Sequence, residues 1–405
     1  MRNWLFLAVF VVIIAASTVF FLSLYSYRFF EWPTRGYCSI RLTRAELDQS
    51  LELGTKFLIN HQKADGRFTY EYDWINEIFT QSDSPVRQAG AMWGLALIYQ
   101  DQPSLEIKAA LEKAMGFFSR HSQVTADGRR YIIYPGNTFG RLGTVALCTL
   151  AYIEYLRVPS SFNIGMESRQ RYLQHLGEYL QFLINAQTQE GLWPRYYDAG
   201  GLPFGESSPY YDGESLLALV KAAKYMGYQK LQPFVVKAAD AGYNHHVQKA
   251  LRIDPDSRIT KGYYQWGSMA FFELATAGWP NMEKYGDYVI SLADWMIDIH
   301  KTLWRKRNTA YAYEGIIHAY QLSVLGGHDQ YMKKFACVID AGLMKLTSWQ
   351  VGSPMANWFI RRHPTQNPYA IGGIQNHVFE PLLRIDVTQH QMHAVILARR
   401  YVYNQ

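Results

Sequence analysis

The chain has 405 residues, 49% of them apolar and only 18% charged, with a net charge of +6. That is enough length and apolar content for a sizeable core, and it excludes a disordered chain. Lys and Arg are scattered rather than clustered, which excludes a nucleic-acid partner, and the modest positive balance favours an acidic one.

Trp4 to Tyr25 carries no charge and is rich in Val, Ile, Leu and Phe. At about 1.5 Å per residue such a helix spans roughly 30 Å, the thickness of a bilayer core. It is too long for the apolar region of a cleaved signal peptide and no small-x-small site follows it. Residues 1–27 therefore read as a retained single-pass anchor and 28–44 as a linker. Arg28, Arg35, Arg41 and Arg44 follow the span against Arg2 before it, which by the positive-inside rule would place the remainder in the cytoplasm. Long domains translocate largely regardless of such charge, and the expectation is a periplasmic or extracellular domain. Cys38, Cys148 and Cys337 share no CxxC spacing, so they indicate neither a disulfide framework nor a zinc motif.

From residue 45 onward the periodicity is helical, with strand-like alternation only in brief Tyr-rich pieces. Amphipathic helices are expected over roughly 45–61, 105–122, 170–185, 231–247, 282–299 and 330–349. Between them lie shorter segments rich in Ala, Gly and Leu, at 89–99, 142–156, 216–226, 268–277, 316–325 and 391–403. The order is outer, inner, repeated six times. Stacked helix pairs must spiral openly or close. The expected fold is all-α: a closed (α/α)6 toroid over 45–405, with an open solenoid as the alternative, preceded by one N-terminal transmembrane helix. If the ring closes, the inner-helix N-termini and their unpaired N–H groups surround one mouth suited to anionic groups.

Two segments about 125 residues apart repeat one pattern: Lys56-Phe57-Leu58-Ile59-Asn60-His61-Gln62, then Gly66 and Phe68, and Gln181-Phe182-Leu183-Ile184-Asn185-Ala186-Gln187, then Gly191 and Trp193. Each reads as a helix end, a glycine stop and an aromatic that packs back. Both resemble the QW motif of α/α-toroid proteins. Terpene cyclases carry that motif, but the Asp-x-Asp-Asp acid motif of their chemistry is missing. The stretch from Pro194 through Gly227, with Ser208-Pro209-Tyr210, is similar to the catalytic toroid of glucuronyl C5-epimerases. This resemblance implies polysaccharide chemistry on uronic acids.

The inner-helix openings supply the candidate site. Glu314, beside Tyr313, and the pair Asp212 and Glu214 could move protons at a sugar carbon or serve as acids in hydrolysis; as helix-start carboxylates they could equally be caps. Asp386 and His390 are one turn apart, close enough for a carboxylate to orient an imidazole. His393 shares that face, but no third ligand is spaced to complete a metal site, and no metal or cofactor is expected. Arg87 and Arg141 could bind carboxylates in fork geometry, the alternative for each being an ion pair with Glu71 or Asp73. Lys261, Tyr264, Trp266, Trp193, His377 and Arg384 complete the expected binding set. The first expectation is a membrane-anchored epimerase, lyase or hydrolase acting on an acidic cell-envelope polysaccharide. The second is a non-catalytic toroid that binds polymer or docks on membrane-bound synthesis machinery.

Overall fold

A computed structural model describes residues 41–158 and 165–404. The apolar stretch read as an anchor lies outside the described residues, as does most of the linker. Among the described residues no helix is long and apolar enough to cross a membrane.

Twelve helices build a barrel. In chain order they are α1 (Arg44–Asn60), α2 (Pro85–Asp101), α3 (Leu105–Arg120), α4 (Leu142–Arg157), α5 (Met166–Ala186), α6 (Pro209–Tyr225), α7 (Gln232–Tyr243), α8 (Arg258–Ala275), α9 (Glu283–Asp298), α10 (Ala310–Leu325), α11 (Asp329–Thr347) and α12 (Ile385–Tyr401). The odd-numbered helices are outer and bury one face. The even-numbered ones are inner and far more enclosed: every residue from Leu142 to Leu156 is buried. Each inner helix packs on the next, and α12 packs on α2. The ring is shut, and the fold is an (α/α)6 toroid rather than an open solenoid.

The first and last described segments meet at this closure. Arg399 of α12 pairs with Asp48 of α1 and Asp101 of α2. Asp340 accepts from the backbone N–H groups of Arg41 and Leu42 and from the Tyr403 hydroxyl at 2.8–3.1 Å.

Glycines set the closeness of the inner ring. A Cβ on Gly143 would lie 2.3 Å from Glu214 Oε2, on Gly213 2.4 Å from Trp266 Cβ, on Gly94 2.4 Å from Gln389 Cγ, and on Gly315 2.6 Å from Tyr264 Oη. These seats serve the α4–α6, α6–α8, α2–α12 and α8–α10 contacts.

The repeated motif is a joint between neighbouring hairpins. Gln62 Nε2 donates to Ala110 O of α3 at 2.7 Å, and Gln187 Nε2 to Phe234 O of α7 at 3.2 Å. Gly66 and Gly191 both have positive φ, and a Cβ on either would strike a carbonyl of that same outer helix. The aromatic that follows is then held from the inner helix: Gln88 Oε1 accepts from Phe68 N–H, and Asp212 Oδ1 from Trp193 N–H, both at 2.8 Å. Gln88 and Asp212 are each the fourth residue of a helix that opens on proline.

Two expectations are corrected here. The barrel is not purely helical: antiparallel sheets β2-β1-β8, β3-β4 and β5-β6-β7 occupy the loops, formed by β1 (Glu71–Asp73), β2 (Ile78–Phe79), β3 (Ser122–Val124), β4 (Arg130–Ile132), β5 (Gly140–Arg141), β6 (Pro194–Tyr197), β7 (Pro203–Ser207) and β8 (Leu382–Arg384). Cys337 is disulfide-bonded, whereas Cys148 is free and buried.

Gly213→Ala tests the close approach. Alanine gains about 1 kcal/mol of helix propensity, but the Cβ–Cβ clash forces backbone to move, at a cost of about 1–3 kcal/mol. Denaturant titration should show a net loss of stability; a gain would mean that α6 and α8 are not pressed together at this glycine.

Candidate active site

The inner-helix starts touch one another around a single mouth. Beginning at α12, β8 runs directly into the helix, pinned by pairing with β1. Arg384 Nε and Nη2 grip Asp386 at 3.0 and 2.6 Å, and Arg87 Nε of α2 reaches the same carboxylate at 3.2 Å. Both guanidiniums stack on Tyr70, 5.1 and 5.3 Å from its centroid. Two cations share this carboxylate, and the Glu71 charge on the neighbouring strand also acts on Arg384. The partner of Arg87 is therefore Asp386, not Glu71 or Asp73.

One turn deeper, α10 meets α12 through charge. Glu314 Oε1 accepts from His393 Nδ1 at 2.8 Å and lies 3.2 Å from His390 Nδ1. Glu314 is wholly buried, and its Oε2 has no hydrogen-bond partner in the protein. Burial pushes the carboxyl upward, but the two imidazoles outweigh it and hold the group below its ordinary range. For His390 burial works downward, yet the Glu314 charge prevails and raises it. All hydrogen bonds of His390 within the protein run through Nδ1, including marginal ones to the Gln265 and Gln389 amides at 3.5 and 3.4 Å. Its side chain is still 21% exposed. Nε2 makes no hydrogen bond within the protein. Trp266 stands 5.9 Å from the His390 ring, Trp93 stands 5.1 Å from the His393 ring, and the two indoles are 5.3 Å apart.

The remaining wall follows α8, α6 and α4. Lys261 stacks on Tyr311 of α10 at 4.8 Å, and burial lowers its pKa. Tyr210 fills the space above Gly262, Tyr211 lies beside the Arg141 guanidinium, and Arg141 stacks on Tyr196 at 5.6 Å. Glu214 is buried against Gly143 with Oε2 unpartnered, and burial drives its pKa well up.

Several expected residues sit elsewhere. Asp212 turns outward, where His246 Nε2 bonds it at 2.7 Å and Trp193 N–H at 2.8 Å. It is scaffold, the counterpart of Gln88. Trp193 is core, its indole N–H donated to Leu183 O. Tyr264 is buried with its hydroxyl on Ala312 O at 3.0 Å. Tyr313 points away from Glu314 toward the outer ring, filling the space over Gly342. His377 makes its contacts with its own loop and with Arg307. Trp93 was overlooked in the sequence, and Tyr210, Tyr211 and Gln265, which lie in the inner-helix openings, were given no role there. Trp93 had a visible signal, a single large ring within Ala89-Gly90-Ala91-Met92-Trp93-Gly94. Among the described residues no group of three or more His, Cys, Asp or Glu is arranged to hold a metal ion.

No protein-family profile matches the chain, and no curated protein matches it in sequence. Solved structures do match in fold. A sugar epimerase from a ruminal bacterium superposes with a TM-score of 0.60 at 12% identity, covering 88% of this chain and 98% of that one. A GH76 α-mannanase from Bacteroides thetaiotaomicron gives 0.58 at 8% identity, covering 89% and 97%. The cellobiose 2-epimerase of Spirochaeta thermophila gives 0.58 at 13% identity, covering 87% and 96%. At such identities the likeness establishes the shared (α/α)6 toroid fold.

Glu314→Gln should lower the pKa of His390, because burial then acts without the opposing charge; NMR titration of the imidazole reads this directly. The stability lost follows linkage. The raised His390 contributes below about pH 6.5 and loses its contribution as pH rises through its folded pKa, whereas the lowered Glu314 contributes above about pH 4.5 and loses its contribution on acidification. The gap between wild type and variant should be widest between those values. An unchanged His390 titration would dissolve the pair.

Proposed function

We propose that the chain is a carbohydrate-active enzyme that moves a proton at a sugar carbon next to a carbonyl or carboxylate, as an epimerase or isomerase does. The observation that carries this reading is the buried Glu314 carboxylate holding His390 by Nδ1 and leaving Nε2 for the mouth. With Nδ1–H donated to Glu314, Nε2 carries the lone pair and acts as base. The C–H bond breaks, its electrons move onto the neighbouring carbonyl oxygen, and the proton goes to Nε2. Arg87 and Arg384 at the rim offer positive charge for the oxyanion. Reprotonation at carbon completes the reaction. Hydrolysis asks for two carboxyl groups flanking the bond, one of them a free carboxylate. At this mouth Asp386 is engaged by two guanidiniums and Glu314 by the imidazoles, so proton transfer at carbon fits better.

An acidic saccharide suits the rim, where the four cations Arg87, Arg141, Arg384 and Lys261 outnumber the carboxylates of Asp386 and Glu71. The proposal extends to a single-pass anchor at residues 1–27 and an exported domain acting on a cell-envelope polymer. The disulfide at Cys337 supports an oxidising compartment. A reporter that is active only in the cytoplasm, fused at the C-terminus, should be silent; activity would reverse the orientation.

The test of catalysis is incubation with neutral and uronate sugars in deuterated water. Wild type should place deuterium at carbon, and His390→Gln should lower the rate by about 10²–10⁴-fold with the fold preserved. Reducing ends released without exchange would assign hydrolysis instead. Biological function retained in full by His390→Gln would make the mouth a binding site only.

A further inference from the structure

Outside the mouth, the sheet β5-β6-β7 carries a row of aromatic rings toward solvent. Phe139, just before β5, meets Tyr196 of β6 at 5.2 Å between centroids; Tyr196 meets Phe204 of β7 at 5.6 Å. Phe139 is 36% exposed and Phe204 45%. Tyr196 between them is half-buried, and two neighbouring exposed rings are costly in water unless something stacks on them. The row is continuous with the mouth. Arg141 ends β5 and caps the start of α4; its guanidinium lies over Tyr196 and beside Tyr211 of α6. Arg195 lies over Tyr196 as well, 5.9 Å from the centroid. Neither guanidinium has an ion-pair partner among the described residues, although Glu206 is exposed on β7, and Asp198 is occupied by the N–H groups of Gly200 and Leu202 in the turn.

We infer that this platform is a subsite for a glycan chain: sugar rings beyond the one at His390 stack on Phe204 and Phe139, and Arg141 and Arg195, held over Tyr196, receive their carboxylates. The substrate class is accordingly an acidic oligo- or polysaccharide rather than a free monosaccharide. This deepens the proposed function and rests on it for the position of the reacting sugar. Aromatic faces supply area for the C–H faces of pyranose rings, and planar guanidiniums supply two parallel donors for a carboxylate.

The test uses the full-length chain, a length-graded series of oligouronates (dimer through octamer) and neutral cello-oligosaccharides of the same lengths. Calorimetry should show affinity rising with length for the oligouronates. In Phe139→Ala/Phe204→Ala the long oligomers should lose about ten-fold in affinity, falling to the value for the dimer, while deuterium exchange on the dimer stays unchanged. Arg195→Gln, which removes little packing, should weaken the oligouronates selectively and repeats the test if the double variant does not fold. Length dependence that survives both variants overturns the subsite. Equal binding of the neutral series overturns the acidic assignment. A change of oligomeric state in the double variant would identify the rings as a contact between copies of the chain and overturn the proposal. If wild type exchanges no deuterium yet binds long oligouronates through these rings, the catalytic reading fails and the subsite stands.

Discussion

The structure depends on closing six inner helices at a spacing that ordinary side chains would not allow. Four of the inner contacts solve this with a glycine facing a bulky neighbour: Gly143 under Glu214, Gly213 under Trp266, Gly94 under Gln389 and Gly315 under Tyr264. The α10–α12 contact is different. There a carboxylate faces two imidazoles, and charge-assisted bonds take the place of interdigitated packing. A buried ion pair of this kind is a poor source of net stability, because desolvation offsets most of the attraction.

The opposite end of the barrel carries charge of another kind. In the last turns of α4, α6 and α8, Glu154 binds Lys221 and Arg157, and Glu273 binds Lys224, Lys221 and the Tyr225 hydroxyl. Burial works against the Glu273 charge, but the two lysines outweigh it and bring its pKa to about 2. Every carboxylate here is matched by ammonium or guanidinium groups that satisfy its oxygens, so the network fixes helix register and closes the lower end. At the mouth Glu214 and Glu314 each keep one oxygen without a protein partner.

The ring was legible because the inner segments are short, rich in small residues and alternate with amphipathic ones, a consequence of their enclosure. The helix starts were harder to see. The inner helices over 209–225, 258–275 and 310–325 begin six to ten residues before their apolar pattern does, since their first turns face a polar mouth and show no periodic burial. The pairing of Arg87 with Asp386, and of Glu314 with His390 and His393, joins residues hundreds or tens of positions apart, and no spacing encodes it. Asp212 misled for a definite reason. It precedes Glu214 by two residues, and on a helix such neighbours point about 200° apart, so one carboxyl enters the scaffold and the other the barrel.

The equivalence of Asp212 with Gln88 extends that point. Both occupy the same place in a repeated joint, and the joint needs only an acceptor for the backbone N–H of the packed aromatic. A neutral amide suffices at Gln88, where the amide nitrogen also donates to Phe68 O. At Asp212 the second oxygen is taken by His246 instead. The two positions solve one hydrogen-bonding problem with different chemistry, which marks them as structural. Glu314 allows no such exchange. A glutamine in its place would still accept from one imidazole, but it would lack the charge that raises His390 against burial, and with it the property on which the proposed proton transfer rests.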